Sequence, residues 1–194
     1  MTDITGILLA AGSSRRFGAD KLTQVLPNGE WVAVRACQNL MAGVDKVMAV
    51  VRPGNSDLVA ALQAVGAEVV ICPHAEQGMG VSLAFGVRAA QDADAWLVAL
   101  ADMPWLLPAT IVTLCDSLRS GASLVAPQWQ QRRGHPVGFA KTWGVELMNL
   151  SGDMGAKNLL QAHQADLHLL ACADPGIFKD IDTTADLQTS IQAD

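Results

Sequence analysis

The chain has 194 residues, of which 51% are apolar and only 16% charged, and its formal net charge is −6. That length suits one domain (1–194) with a single sizeable core, and the composition excludes a disordered chain. The acidic balance argues against nucleic acid as a partner. No apolar run reaches the ~18 residues of a membrane span. The opening MTDITG has no basic n-region, so a cytoplasmic protein without membrane association is expected. Cys37, Cys72, Cys115 and Cys172 lie scattered with no CxxC pair, which fits buried thiols in a reducing compartment better than a zinc or redox site.

In chain order, Ile7 to Ala10 reads as a short buried strand that breaks into the small residues Ala11, Gly12, Ser13 and Ser14. Arg15, Arg16 and Lys21 follow, with Gly18 between them. Small residues let the backbone approach a ligand and present its N–H groups, and cations beside them suit an anion such as phosphate. The plain alternative is an ordinary strand-to-helix turn with solvated arginines.

Helical spacing from Trp31 to Gly43 is followed by an apolar run, Lys46 to Val51, that predicts a strand. Asn55 or Ser56 caps a helix through Val65, and Gly66 closes it. Glu68 to Cys72 predicts a strand, Val81 to Gln91 a helix after Gly78-Met79-Gly80, and Ala95 to Ala101 a strand ending on Asp102-Met103-Pro104. Pro108 opens a helix to Ser120. Ser123 to Pro127 and His135 to Phe139 read as strands around a turn or flexible loop at Gln131 to Gly134. Helices at Thr142 to Asn149 and Ala156 to Ala165, a strand at Leu167 to Cys172 and a short closing helix from Thr184 complete the reading.

This alternation predicts an α/β fold, a three-layer α/β/α arrangement with a mostly parallel, Rossmann-like sheet. Ligands of such sheets bind beyond the carboxyl ends of the strands, which directs attention to Gly12–Lys21, Gly78–Ser82 and Asp102. Two familiar nucleotide signatures fail. A G-x-G-x-x-G from Gly78 meets Leu83 in third place, and a P-loop from Gly12 finds Gly18 one position late and followed by Ala19. Asp102 follows the charge-free strand WLVALA, where an unpaired buried carboxylate is costly. Magnesium is one partner that suits it, and a turn-capping role is the other reading. Asp180 and Asp182 share one face if their segment is extended, so one of them can supply a second metal ligand. His135 stands in RRGHPVGF beside Arg132 and Arg133.

Taken together these residues resemble the molybdenum-cofactor nucleotidyltransferases. LAAGSSRRFGADKL (9–22) is similar to that family's L-A-[AG]-G-x-S-x-R-x-G-x-x-K signature. GMGVSLAFG (78–86), LADMP (100–104), GHPVGF (134–139), GDMGAKNLL (152–160) and DIDTTADL (180–187) follow in the family's order. Ala10-Ala11-Gly12 resembles the cytidylyltransferase branch, where guanylyltransferases usually carry Ala-Gly-Gly. Phe17 replaces the usual Met, and Thr184 a common Pro.

The resemblance implies a nucleotidyltransferase fold and Mg²⁺-dependent transfer of CMP from CTP to the terminal phosphate of molybdopterin, releasing pyrophosphate. It assigns Asp102 and Asp182 to the metal, and Arg15 and Lys21 to the β,γ-phosphates. Leu9, Ala10, Ala11 and Gly12, with Ser82, face the cytosine and ribose. His135, with Arg133 and Asp153, lies on the molybdopterin side. A molybdenum hydroxylase apo-enzyme or its maturation chaperone is the implied recipient. The alternatives are GTP as donor, a sugar-phosphate acceptor, or a non-catalytic module that binds and delivers the cofactor. An NAD-dependent oxidoreductase is disfavoured by the missing fingerprint.

Overall fold

The computed structural model describes residues 2–12 and 20–188. Among the described residues eight strands form one sheet: β1 (Ile4–Ala10), β2 (Lys46–Val51), β3 (Glu68–Ile71), β4 (Ala95–Leu100), β5 (Leu124–Trp129), β6 (Arg132–Arg133), β7 (Val137–Ala140) and β8 (Leu167–Ala171). Their order is β3-β2-β1-β4-β7-β5-β6, with β8 beside β5. β1, β2, β3 and β4 pair in parallel, as do β5 and β8, whereas β7 runs antiparallel to both β4 and β5. The helices are α1 (Val32–Met41), α2 (Ser56–Ala64), α3 (Met79–Ala89), α4 (Pro108–Arg119), α5 (Gly144–Met148) and α6 (Lys157–Ala162).

Strand alternation divides the interior into two cores. On one face Leu8, Ala49 and Leu97 meet Cys37 and Leu40 of α1, Leu62 of α2 and Leu114 of α4. On the other, Ile7, Val50 and Trp96 meet Leu83 and Val87 of α3, Leu147 of α5 and Leu160 of α6. The expected three-layer arrangement is thus observed. Cys37, Cys72 and Cys115 are buried. Burial pushes the Cys37 and Cys115 thiols up to about 11, so they stay protonated and pack as small apolar groups. Among the described residues no helix is long and apolar enough to cross a membrane.

Three expectations change in detail. Helix α3 starts at Met79 and not Val81, because Gly80 is drawn into its first turn by a 2.7 Å hydrogen bond from its N–H to the Gly152 carbonyl. β5 runs through Pro127 to Trp129. The Pro127 carbonyl accepts from Gly134 on the side β7 has left, since β7 pairs with β5 only at Leu124 and Val125; the missing N–H therefore breaks no ladder there. The stretch expected as a turn or flexible loop is a turn, centred on Gln130 and Gln131 (φ 49° and 64°), and Arg132 and Arg133 extend it into a hairpin by pairing with Trp129 and Gln128. Two positive φ values match the right-handed twist of paired strands, a turn that usually advertises itself with glycine or asparagine.

Candidate active site

The carboxyl ends of β1, β2 and β4 and the amino end of α3 open onto a cavity of about 620 Å³. Its lining includes Leu9, Ala11 and Gly12 from the end of β1, Arg52 and Pro53 after β2, Gly78, Met79 and Ser82 at the start of α3, and Leu100, Asp102 and Asp153. A Cβ on Gly12 would meet nothing within 4 Å among the described residues. The amino end of α3 lines the cavity with Gly78, Met79 and Ser82, and the positive end of the helix dipole favours an anion there, although the Gly80 N–H is already donated to the Gly152 carbonyl.

Asp102 lies two residues beyond the end of β4, and its backbone carbonyl accepts a 2.9 Å hydrogen bond from the Ile181 N–H. That bond stitches the tail to the end of the central strand. Ile181 is fully buried among Leu26, Val32 and Leu187, so the flanking Asp180 and Asp182 turn outward, as the alternation predicts. The loop carrying Asp182 is tied by Asp186, whose carboxylate accepts from the N–H groups of Asp182 (3.0 Å) and Thr183 (2.6 Å) and from the Thr183 hydroxyl (2.8 Å). These donors, the Thr183 N–H first, hold the Asp186 carboxyl below the usual carboxylate range. Thr184 in place of proline does not leave this loop untethered.

The two carboxylates meet at one ammonium. Lys21 Nζ lies 2.6 Å from Asp102 Oδ2 and 3.4 Å from Asp182 Oδ1. The Lys21 side chain is only 15% exposed. Burial there opposes its charge, yet the hydrogen bond and attraction of Asp102, then Asp182, outweigh it and hold the Lys21 pKa above its ordinary value. Asp180 is pushed up, first by desolvation and then by repulsion from Asp182 and Asp102. Oxygen ligands gathered around one cation are what a hard divalent metal takes, so Asp102 and Asp182 fit a magnesium- or manganese-type ion.

Two anchors that the sequence did not disclose shape the cavity. Asp20 Oδ1 accepts from the Leu22 N–H (3.1 Å), capping a one-turn helix at Lys21–Thr23, while Oδ2 accepts from Asn55 Nδ2 (2.6 Å) and faces Arg52 (3.4 Å). Of the two cap candidates, Asn55 and Ser56, Asn55 takes the N-cap position of α2, but its side chain makes no capping hydrogen bond and reaches Asp20 instead. The second anchor joins Gly78 and Gly80 to the 151–153 segment. A Cβ at Gly80 would lie 2.6 Å from the Ser151 carbonyl oxygen, and Gly78 has φ 121° with Asp153 and Gly152 against it. Only glycines allow that approach.

The expected site residues divide as follows. Leu9, Ala11, Gly12, Ser82 and Asp102 line the cavity. Asp182 and Lys21 join Asp102 at its edge. Ala10 does not: its side chain is 1% exposed and packs in the α1-side core, because it alternates with Leu9 and Ala11. Ser82 reaches the cavity, but its hydroxyl turns back toward the Gly78 carbonyl at 3.4 Å. His135 is not among the lining residues. Its N–H donates to the Ile177 carbonyl, its Nδ1 is buried without a hydrogen-bond partner among the described residues, and burial followed by Arg133 lowers its pKa against the pull of Asp102. At neutral pH it is therefore an uncharged imidazole. Arg15 lies outside the described residues.

The sheet and the strand-end cavity are those of an α/β nucleotidyltransferase scaffold. The chain belongs to the MobA-like NTP transferase domain family, whose profile matches residues 6–167. It is 30% identical to nicotine blue oxidoreductase of Paenarthrobacter nicotinovorans and 31% identical to purine catabolism protein PucB of Bacillus subtilis, each over 93% of this chain and 92% of the relative. A probable molybdenum cofactor guanylyltransferase of Mycobacterium avium is 27% identical over 98% of this chain and 96% of its own. Among solved structures, Rv0371c from Mycobacterium tuberculosis superimposes with a TM-score of 0.81 at 29% identity, covering 95% of both chains. The manganese complex of Rv0371c gives 0.78 at 26% identity, over 95% of this chain and 96% of that one.

Proposed function

We propose that this chain transfers CMP from CTP to the terminal phosphate of molybdopterin, giving the cytosine dinucleotide and pyrophosphate. The observation that carries the reading is the convergence of Asp102 and Asp182 on one cation at the edge of a strand-end cavity. The acceptor is already an ionised phosphate, so the chemistry needs no strong base. An acceptor oxygen bonds to the α-phosphorus as the bond to the bridging oxygen of the β-phosphate breaks, and pyrophosphate leaves with that electron pair. The difficulty is holding two anions in line, which is a task of positioning and charge neutralisation.

Asp102 and Asp182 would hold a divalent cation, which when bound neutralises phosphate oxygens. Lys21, with Arg15, would take the β,γ-phosphates. Backbone groups of Leu9 to Gly12 would face the base, and the amino end of α3 would favour the anionic end of the nucleotide. His135 and Arg133 stay assigned to the acceptor side, with His135 as a neutral donor or acceptor. Support for the smaller pyrimidine comes from Ala11, a residue of the cavity lining at a position where guanylyl enzymes usually have glycine. The product would pass to a molybdenum hydroxylase apo-enzyme or its maturation chaperone.

The test is pyrophosphate release with molybdopterin, Mg²⁺ and CTP, GTP, ATP or UTP in turn. Release with CTP above the others, and only with acceptor, is expected. Release with GTP instead overturns the base assignment and keeps the chemistry. The relative named an oxidoreductase supports a second reading, redox turnover on the same scaffold. Oxidation of NADH or NADPH with no pyrophosphate release from any nucleotide would favour it.

A further inference from the structure

We propose that Lys21 is a built-in counter-ion that keeps Asp102 and Asp182 closed to bare divalent cations until a nucleotide draws its ammonium away. This rests on the reading of the site as a metal-dependent nucleotide site. Asp102 and Asp182 come from segments 80 positions apart in sequence (102 and 182), and among the described residues Lys21 lies within ion-pair distance of both. Without it the two carboxylates, with Asp180 nearby, would repel one another. The Asp102 and Lys21 side chains are 20% and 15% exposed, so water shields the cluster only in part.

The ammonium and a divalent cation are alternative occupants of one place. Both need the Asp102 oxygen that Nζ holds at 2.6 Å, and a hard metal would have to approach that oxygen to about 2.0–2.2 Å. Two cations cannot share that distance without strong repulsion. A triphosphate resolves the conflict, since it brings its own metal and offers Lys21 new oxygen acceptors. Only the side chain has to move, because the Lys21 backbone sits in the one-turn helix capped by Asp20. The site would therefore bind metal and nucleotide together, and metal alone weakly.

Titration of the full chain with Mn²⁺ in the absence of nucleotide, followed by the electron paramagnetic resonance of the free ion, tests this directly. Lys21→Met should bind one Mn²⁺ roughly ten- to fiftyfold more tightly than the wild type, the scale of repulsion between a single and a double charge in a partly solvated setting. Lys21→Arg, which keeps the cation, should stay near the wild type, and adding Asp102→Asn to Lys21→Met should remove the gain. Lys21→Gln replaces Lys21→Met should the latter not fold. Equal or weaker Mn²⁺ affinity in the neutral variants overturns the counter-ion role while leaving the metal-dependent reading intact, provided CTP still brings Mn²⁺ to the wild type. Failure of every form to bind Mn²⁺, with or without CTP, overturns both.

Discussion

Replacing Asp20 with alanine removes the hydrogen bond to the Leu22 N–H, the one from Asn55 Nδ2 and the ion pair with Arg52. Loss of a capping side chain costs about 1 kcal/mol. The 2.6 Å bond from Asn55 to a charged acceptor is worth about 1 kcal/mol after allowance for a carboxylate 22% exposed to water. The Arg52 pair at 3.4 Å, with the arginine 35% exposed, adds about 0–1 kcal/mol. Together Asp20→Ala should lower stability by about 2–3 kcal/mol, read from urea denaturation at an unchanged slope. A double-mutant cycle with Asn55→Ala should show coupling of about 1 kcal/mol. Because Lys21 is the next residue, pyrophosphate release should fall as well, by about tenfold for a lost positioning contact. Strict additivity of Asp20→Ala and Asn55→Ala, or a stability change under about 0.5 kcal/mol, would refute the view that this carboxylate ties the Lys21 turn to the end of β2.

Gly80→Ala drives a methyl group to within 2.6 Å of the Ser151 carbonyl oxygen and 2.9 Å of that of Gly152. The backbone must yield, so we expect about 1–3 kcal/mol of destabilisation together with a raised KM for nucleotide, measured by denaturation and steady-state kinetics. Wild-type stability under both measures would mean that the 151–153 segment moves freely. For Asp180 the sign follows from its raised pKa. A carboxyl held above its unfolded value of 3.8 favours the folded state while protonated, and that contribution is lost as pH rises through the folded value. Asp180→Asn should thus melt at a higher temperature than the wild type at pH 7 in metal-free buffer, with no difference once pH falls below the carboxylate range. A lower melting temperature at pH 7 would show that Asp180 makes a favourable contact outweighing its repulsion by Asp182 and Asp102.

The sequence alone determined the scaffold and pointed to the strand ends where the cavity opens. Continuous apolar runs such as KVMAVV and AWLVAL, buried on both faces, specify strands of a covered sheet, and β2 spans Lys46–Val51 as the pattern predicts. Alternation around Ile181 likewise decided that Asp180 and Asp182 share the outward face, because one apolar residue between two charged ones leaves little choice. Tertiary structure decided what depends on distant partners. It placed Lys21 between Asp102 and Asp182, sent the Asn55 side chain to Asp20, turned Ala10 into the core and left His135 uncharged beside Arg133. Charges separated by 80 or more positions attract or repel only after the chain has folded, and no local propensity encodes which of several acids a lysine will meet. The tight turn at Gln130-Gln131 belongs with them, since two glutamines take positive φ only because the strands on either side are already paired.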